Sequence, residues 1–229
     1  MYEYLVGSLG LLVIWLIIFL KSPKLRGEML LSGSIMLPLA LTEPLFVPEY
    51  WNPSTLFNLA STTGFDLESF IFVFAVGGFI AVLYETIFKT EHEKISHKEM
   101  HSKRHRFHRL VLITPFITFG LLYFFTNFNP IYSGAIASVL GAIATYFCRP
   151  DLVREMLGGG ALFLILYFSF FLMLHLIFPD FIDSTWNFGA ISGIKIFGVP
   201  AEELMFALTF GMFWSSFYEH VKWYKLKEM

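Results

Sequence analysis

Apolar residues run along this chain in blocks long enough to cross a bilayer, and polar residues are confined to the stretches between them. A crossing needs about 17 to 25 mostly apolar residues, and seven blocks reach that length: 3–20, 29–47, 66–88, 109–126, 131–148, 156–178 and 199–221. An odd number of crossings places the two termini on opposite sides. Basic residues fall in alternate loops: Lys21, Lys24 and Arg26; then Lys89, Lys94, Lys98, Lys103, Arg104, Arg106 and Arg109; then Arg149 and Arg154; and finally Lys222, Lys225 and Lys227. The intervening loops carry Glu49, Asp180, Asp183 and a single Lys195. Since Lys and Arg collect on the cytoplasmic side, this pattern predicts a multi-pass protein of the cell membrane with its N-terminus outside and its C-terminus in the cytoplasm. The first block has no basic leader and no small-residue cleavage site, so it reads as a retained helix.

The blocks repeat. Gly64/Gly198, Glu68/Glu202, Phe72/Phe206, Tyr84/Tyr218 and Glu85/Glu219 all share an offset of 134, Pro23/Pro150 and Glu28/Glu155 share 127, and Trp51-Asn52/Trp186-Asn187 share 135. Helices one to three therefore correspond to helices five to seven. Three crossings invert the chain, and the extra fourth helix restores a parallel orientation, with a pseudo-two-fold axis along the membrane normal. The fold predicted is an all-α integral membrane bundle of seven transmembrane helices arranged 3+1+3. It comprises a first repeat over 1–90, a basic cytoplasmic loop and linking helix over 91–127, and a second repeat over 128–229. Glu68 and Glu202 then lie at one depth, on the outer side.

Composition removes the soluble alternatives: 56% of the residues are hydrophobic, 19% aromatic and only 15% charged. The net charge of -2 offers nothing for nucleic acid. The single cysteine, Cys148, rules out an internal disulfide and a cysteine-based zinc site, and it reads as a packing residue.

Carboxylates inside these blocks are the candidate chemistry, because an ionisable side chain near the bilayer centre costs roughly 2.5 to 3.5 kcal/mol and is retained there for function. Glu68, Glu202 and Glu203 open helices three and seven; Glu43 and His175 lie near the outer ends of helices two and six as possible relay groups. Glu85 and Glu219 are expected at the cytoplasmic interface, paired with Lys89 and Lys222. Phe206, Phe210, Phe213 and Phe217 follow Glu202 at spacings of three or four, as Phe72 and Phe79 follow Glu68. Such a stripe suits either packing or the holding of a carbocation, whose charge aromatic faces attract without trapping it. The Trp-rich outer loops read as an interfacial belt.

The duplicated three-helix unit, with Pro200-Ala201-Glu202-Glu203 opening its last helix, resembles the lycopene cyclase domain of the flavin-independent, heterodimeric type, here as a fused single chain. The first half departs from that motif, reading Asp66-Leu67-Glu68-Ser69. The resemblance implies ring closure at the ends of a hydrophobic linear carotenoid, with membrane lipid around the enzyme, other carotenoid-pathway enzymes as contacts and no cofactor. It leaves the oligomeric state open. Such a reaction needs an acid that stays protonated at neutral pH, a dry cavity and a base. Burial and paired carboxylates supply the first. On this reading Glu202 and Glu68 are the acid/base pair, Glu203 and Glu43 support them, and Phe72, Phe206, Phe210 and Phe213 contact the polyene.

His92, His97, His101, His105 and His108 crowd one basic loop, and the spacing of four in His97/His101/His105 would put three imidazoles on one helical face, a pattern compatible with a metal site of the di-iron hydroxylase or desaturase kind. Di-iron ligands come from several helices, however, and no metal is expected. A retinal protein needs a mid-membrane lysine in helix seven, and a prenyltransferase needs clustered aspartates; neither is present. A proton-coupled transporter would share both the repeat and the intramembrane acids.

Overall fold

With no water in a bilayer core to satisfy its N–H and C=O groups, an apolar backbone folds as helix. The computed structural model describes residues 2–228; Met1 and Met229, the outer ends of the two expected repeats, lie outside the described residues. Its principal helices are α1 (Glu3–Lys21), α2 (Arg26–Met36), α3 (Leu67–Phe88), α4 (His108–Phe125), α5 (Pro130–Cys148), α6 (Val153–Ile177), α7 (Ala201–Trp214) and α8 (Phe217–Lys222). Among the described residues six segments are long and apolar enough to cross a membrane: Glu3–Lys21, Pro23–Phe46, Leu67–Phe88, Lys103–Phe125, Pro130–Cys148 and Pro150–Ile177. The chain is a mostly helical, multi-pass membrane protein.

Two of the seven expected spans are not continuous α-helix. The second leaves α-helix at Met36, passes through a 3₁₀ stretch over Leu37–Thr42 and resumes as Glu43–Phe46. Pro38 and Pro44 account for this, since each lacks an N–H and its ring clashes with the preceding turn. The seventh is divided into α7 and α8 by a turn at Ser215 and Ser216. There the Ser215 hydroxyl donates to the Glu155 carbonyl of α6 at 3.3 Å.

The chain forms two compact units. The first comprises Met1–Phe79, Asn129–Ile131 and Leu166–Leu204, and the second Ile80–Phe128, Tyr132–Ile165 and Met205–Met229. In the first unit α2 and α3 touch backbone to backbone: a Cβ on Gly33 would stand 2.7 Å from the Phe74 carbonyl oxygen, and one on Gly77 would stand 2.7 Å from Met36. In the second unit a Cβ on Gly160 would stand 3.1 Å from the Leu208 carbonyl oxygen, and one on Gly211 would stand 3.1 Å from Phe163. These four positions and their four neighbours match at the offsets of 127 and 134. Small residues at such crossings let helices approach where lipid supplies no hydrophobic drive between them.

The outer loops of the first unit are pinned by hydrogen bonds that mirror each other. Trp51 and Trp186 form an antiparallel bridge. Asn52 N donates to Thr185 O at 2.8 Å, and Asn187 N donates to Tyr50 O at 2.9 Å. Exchanging the two copies turns one bond into the other. Ahead of α7, strands β2 (Lys195–Ile196) and β3 (Val199–Pro200) form a small hairpin. Its turn residues Phe197 and Gly198 have φ of 50° and 85°, the type I′ geometry that suits the twist of a hairpin. Gly64, the counterpart of Gly198, also has positive φ, 82°, at the end of the Leu59–Thr63 helix. In the second unit, β1 (Thr90–Lys94) pairs antiparallel with β4 (Tyr224–Glu228), so the basic loop and the C-terminal segment form a two-stranded ribbon within an otherwise helical unit.

The hairpin turn yields a stability prediction. Gly198→Ala forces a Cβ into left-handed backbone, at about 1–2 kcal/mol, and brings it to 2.7 Å from His175 Nε2. Thermal unfolding in detergent is expected to show a lowered transition for this variant. Gly189→Ala, where the nearest heavy atom to a new Cβ is 3.6 Å away, is expected to unfold like the parent. Equal transitions for parent and Gly198→Ala would contradict the turn assignment.

Candidate active site

The acids of the first repeat are held where the broken second span meets the start of α3. Glu43 opens the short helix after Pro-disrupted backbone and is buried; its Oε2 accepts from Asp66 N at 3.1 Å. Asp66 in turn accepts from Ser69 N at 2.7 Å, so it caps α3 and satisfies one of the N–H groups that a helix start leaves open. Glu68, 0% exposed, accepts on Oε1 from Leu56 N at 2.6 Å. The Ser69 hydroxyl is 2.8 Å from the Tyr4 hydroxyl. A pocket of about 210 Å³ adjoins this group, with Glu43, Val47, Asn52, Pro53 and Thr55 among its walls.

The acids of the second repeat follow the hairpin directly. Glu203 is 5% exposed and accepts three hydrogen bonds: from Tyr50 Oη at 2.6 Å and Trp186 Nε1 at 2.9 Å on Oε1, and from Tyr167 Oη at 2.9 Å on Oε2. Its donors come from both outer loops and from α6. Burial first, and then the charge and hydrogen bond of Glu203, push the Tyr50 phenol well above its usual range and keep it a donor. Glu202, also buried, accepts on Oε1 from Ser192 N at 2.9 Å. Glu68 and Glu202 thus make the same kind of bond, each to a backbone N–H of the loop ahead of its own helix.

The remaining expected positions are distributed as follows. In the first unit the Phe72 ring lies 6.4 Å from that of Tyr167. In the second unit Phe206, Phe210, Trp214 and Phe217 form a stacked ladder along α7 and into α8, with centroids 5.1, 5.5 and 4.5 Å apart. Phe213 meets Trp214 and Phe217 edge-on. His175 packs under the hairpin turn at Gly198. Trp186, expected in an interfacial belt, is buried and serves Glu203. Tyr4, Tyr50, Asp66 and Tyr167 were not foreseen. Asp66 had a signal, since it occupies the place of Pro200 at the offset of 134, and Tyr50 directly precedes the repeated Trp-Asn pair.

Two expectations about the second unit are corrected. Glu85 and Glu219 do not face Lys89 and Lys222 at an interface; they are 3% and 0% exposed. His92 lies between them, with Nε2 2.6 Å from Glu219 Oε1 and 3.6 Å from Glu85 Oε1. The strand pairing explains this, because β1 carries His92 back over the end of α8. Nor do His97, His101 and His105 share a helical face: helix covers only His97–Met100, and a separate 3₁₀ turn over Lys103–Phe107 carries His105.

The fold is that of a polytopic membrane protein with buried, hydrogen-bonded carboxylates. Residues 129–221 match the family model for lycopene cyclase. Glu202 and Glu203 fall inside the matched segment. No curated protein and no solved structure matches the chain.

The His92 site predicts a pH response. Burial opposes its protonation, but the hydrogen bonds and charges of Glu219 and Glu85 outweigh burial and raise its pKa to about 9. The Tyr218 and Tyr224 rings flank it, with centroids 5.5 and 5.0 Å from that of His92. A His with a raised folded-state pKa gives stability that is fully present below its unfolded value of about 6.5 and is lost as pH rises through the folded value. The thermal transition of the parent is therefore expected to fall between about pH 6.5 and 9, and that of His92→Gln to fall much less. Identical pH profiles would exclude a protonated His92.

Proposed function

We propose that the chain is a carotenoid cyclase that closes the linear ends of an acyclic carotenoid, or of an elongated relative, to ionone-type rings. The observation that carries this reading is that Glu202 and Glu203, inside the segment matching lycopene cyclase, are buried and fixed by hydrogen bonds. A proton is delivered to the terminal double bond, the internal double bond attacks the resulting tertiary cation to form the new carbon–carbon bond, and a different proton leaves to a base. Electrons balance without a redox partner, so flavin and nicotinamide have no role in the step.

Glu202 and Glu68 act as the acid/base pair, each oriented by one backbone N–H. Glu203, engaged by three donors, positions and supports, and Glu43 does the same beside Asp66. Phe72 in the first unit, and Phe206, Phe210 and Phe213 in the second, contact the polyene and stabilise positive charge. The matched offsets, the repeated glycine contacts and the mirrored loop bonds support a duplicated 3+1+3 bundle in parallel orientation. The basic-loop pattern supports an outside N-terminus and a cytoplasmic C-terminus.

The test is pigment analysis of cells that make an acyclic carotenoid, with and without this chain. Cyclic products are expected only with it, and their absence from well-expressing cells would sink the assignment. Glu202→Gln and Glu68→Gln keep shape but remove the transferable proton. Each is expected to lower turnover by about 10²- to 10⁴-fold, the range of general acid/base catalysis. Glu219→Gln is expected to stay near the parent. Loss with Glu219→Gln alone would move the chemistry to the other carboxylate cluster.

A further inference from the structure

Cys148, expected as a packing residue and not as part of a zinc site, ends α5 with its Sγ between two imidazoles that the sequence spacing did not connect with it. Nδ1 of His105 is 3.4 Å away and Nδ1 of His108 is 3.6 Å away, and the three residues are 3%, 8% and 8% exposed. The spacing of the two imidazoles brings them together. His105 lies in the 3₁₀ turn Lys103–Phe107 and His108 is the residue that follows it. With three residues per turn, side chains at i and i+3 eclipse.

We propose that His105, His108 and Cys148 form a binding site for a zinc-class divalent cation. Zinc takes thiolate at about 2.3 Å and imidazole at about 2.0–2.1 Å. In tetrahedral coordination those bond lengths set a nitrogen-to-sulfur edge of about 3.5 Å, close to both observed separations. Metal-free hydrogen bonding serves the trio less well: the thiol has one weak donor for two imidazoles. The second ring must then point an N–H at the same sulfur. One sulfur and two imidazoles suit a borderline-soft ion and are poor ligands for magnesium or calcium.

The surroundings hold the rings in place. The Trp223 ring stacks on His108 at 3.8 Å and 12° and meets His105 edge-on at 5.0 Å. Fixed ring orientation is what metal sites obtain from their outer partners. A third imidazole, His220, lies 4.5 Å from His108, and its buried Nε2 has no hydrogen-bond partner among the described residues. Binding converts the thiol to a thiolate and releases one proton. Three protein ligands leave the fourth position to water, and the ion clamps the start of α4 to the end of α5 within the second unit.

The test is cobalt titration of the purified, metal-stripped full chain in detergent. One cobalt per chain is expected, with a thiolate-to-cobalt charge-transfer band and the strong d–d absorption of a tetrahedral ion, both lost on adding equimolar zinc. Because Cys148 is the only cysteine, that band in the parent protein alone identifies the ligand. Cys148→Ser is expected to abolish it. Trp223→Leu is expected to keep it but to weaken affinity about 10- to 100-fold, and His92→Gln to leave it unchanged. No bound cobalt, or bound cobalt without the charge-transfer band, would overturn the proposal. So would binding that survives Cys148→Ser and disappears with His92→Gln, which would place the ion among the carboxylates.

Discussion

A carboxylate withdrawn from water must be surrounded by donors, and Glu203 is where the first unit meets that demand. Its three donors, Tyr50, Trp186 and Tyr167, belong to three separate stretches of chain. Each must arrive in register. The bridge between Trp51 and Trp186 positions two of the stretches, and the type I′ hairpin sets the start of α7, on which Glu203 sits. Removing one donor from a buried acceptor costs about 1–3 kcal/mol, so the outer loops and the acid stabilise one another. Loops that look like irregular connectors are thus part of the site.

Much of the helical layout was legible because hydropathy periodicity is a strong signal over 18 or more residues. α1, α3, α4, α5 and α6 begin and end within a few residues of the expected blocks. Breaks inside a block were less legible. Pro38 and Pro44 could have been read as interruptions of the second span, whereas the turn at Ser215 and Ser216 has no proline or glycine in it to announce it. The positions of Glu68, Glu202 and Glu203 as buried groups followed from the repeat. Their partners did not, because hydrogen bonds across 153 residues, as between Tyr50 and Glu203, leave no local trace.

The misplaced acids follow the same logic. Glu85 and Glu219 were assigned to an interface from their distance along a helix, which ignores what the following loop does. Once Thr90–Lys94 pairs with Tyr224–Glu228, His92 is brought against both carboxylates. Arg149 is a parallel case. Counted as a topology-setting surface charge, it is 0% exposed, paired with Asp151 and bonded to the Glu219 and Tyr224 carbonyls. Charge-placement rules describe an average over loops and do not say which single cation the fold will enclose.

The repeats along the chain and the compact units in space divide the molecule differently. The first unit takes Met1–Phe79 from one copy and Leu166–Leu204 from the other, and the second takes Ile80–Phe128 from one side of the junction and Tyr132–Ile165 with Met205–Met229 from the other. Neither copy carries a whole unit within its own length. The matched stretches are therefore not two interchangeable modules: in the second half of the chain a change in Tyr132–Ile165 or in Met205–Met229 falls in the second unit, while one between them, in Leu166–Leu204, falls in the first.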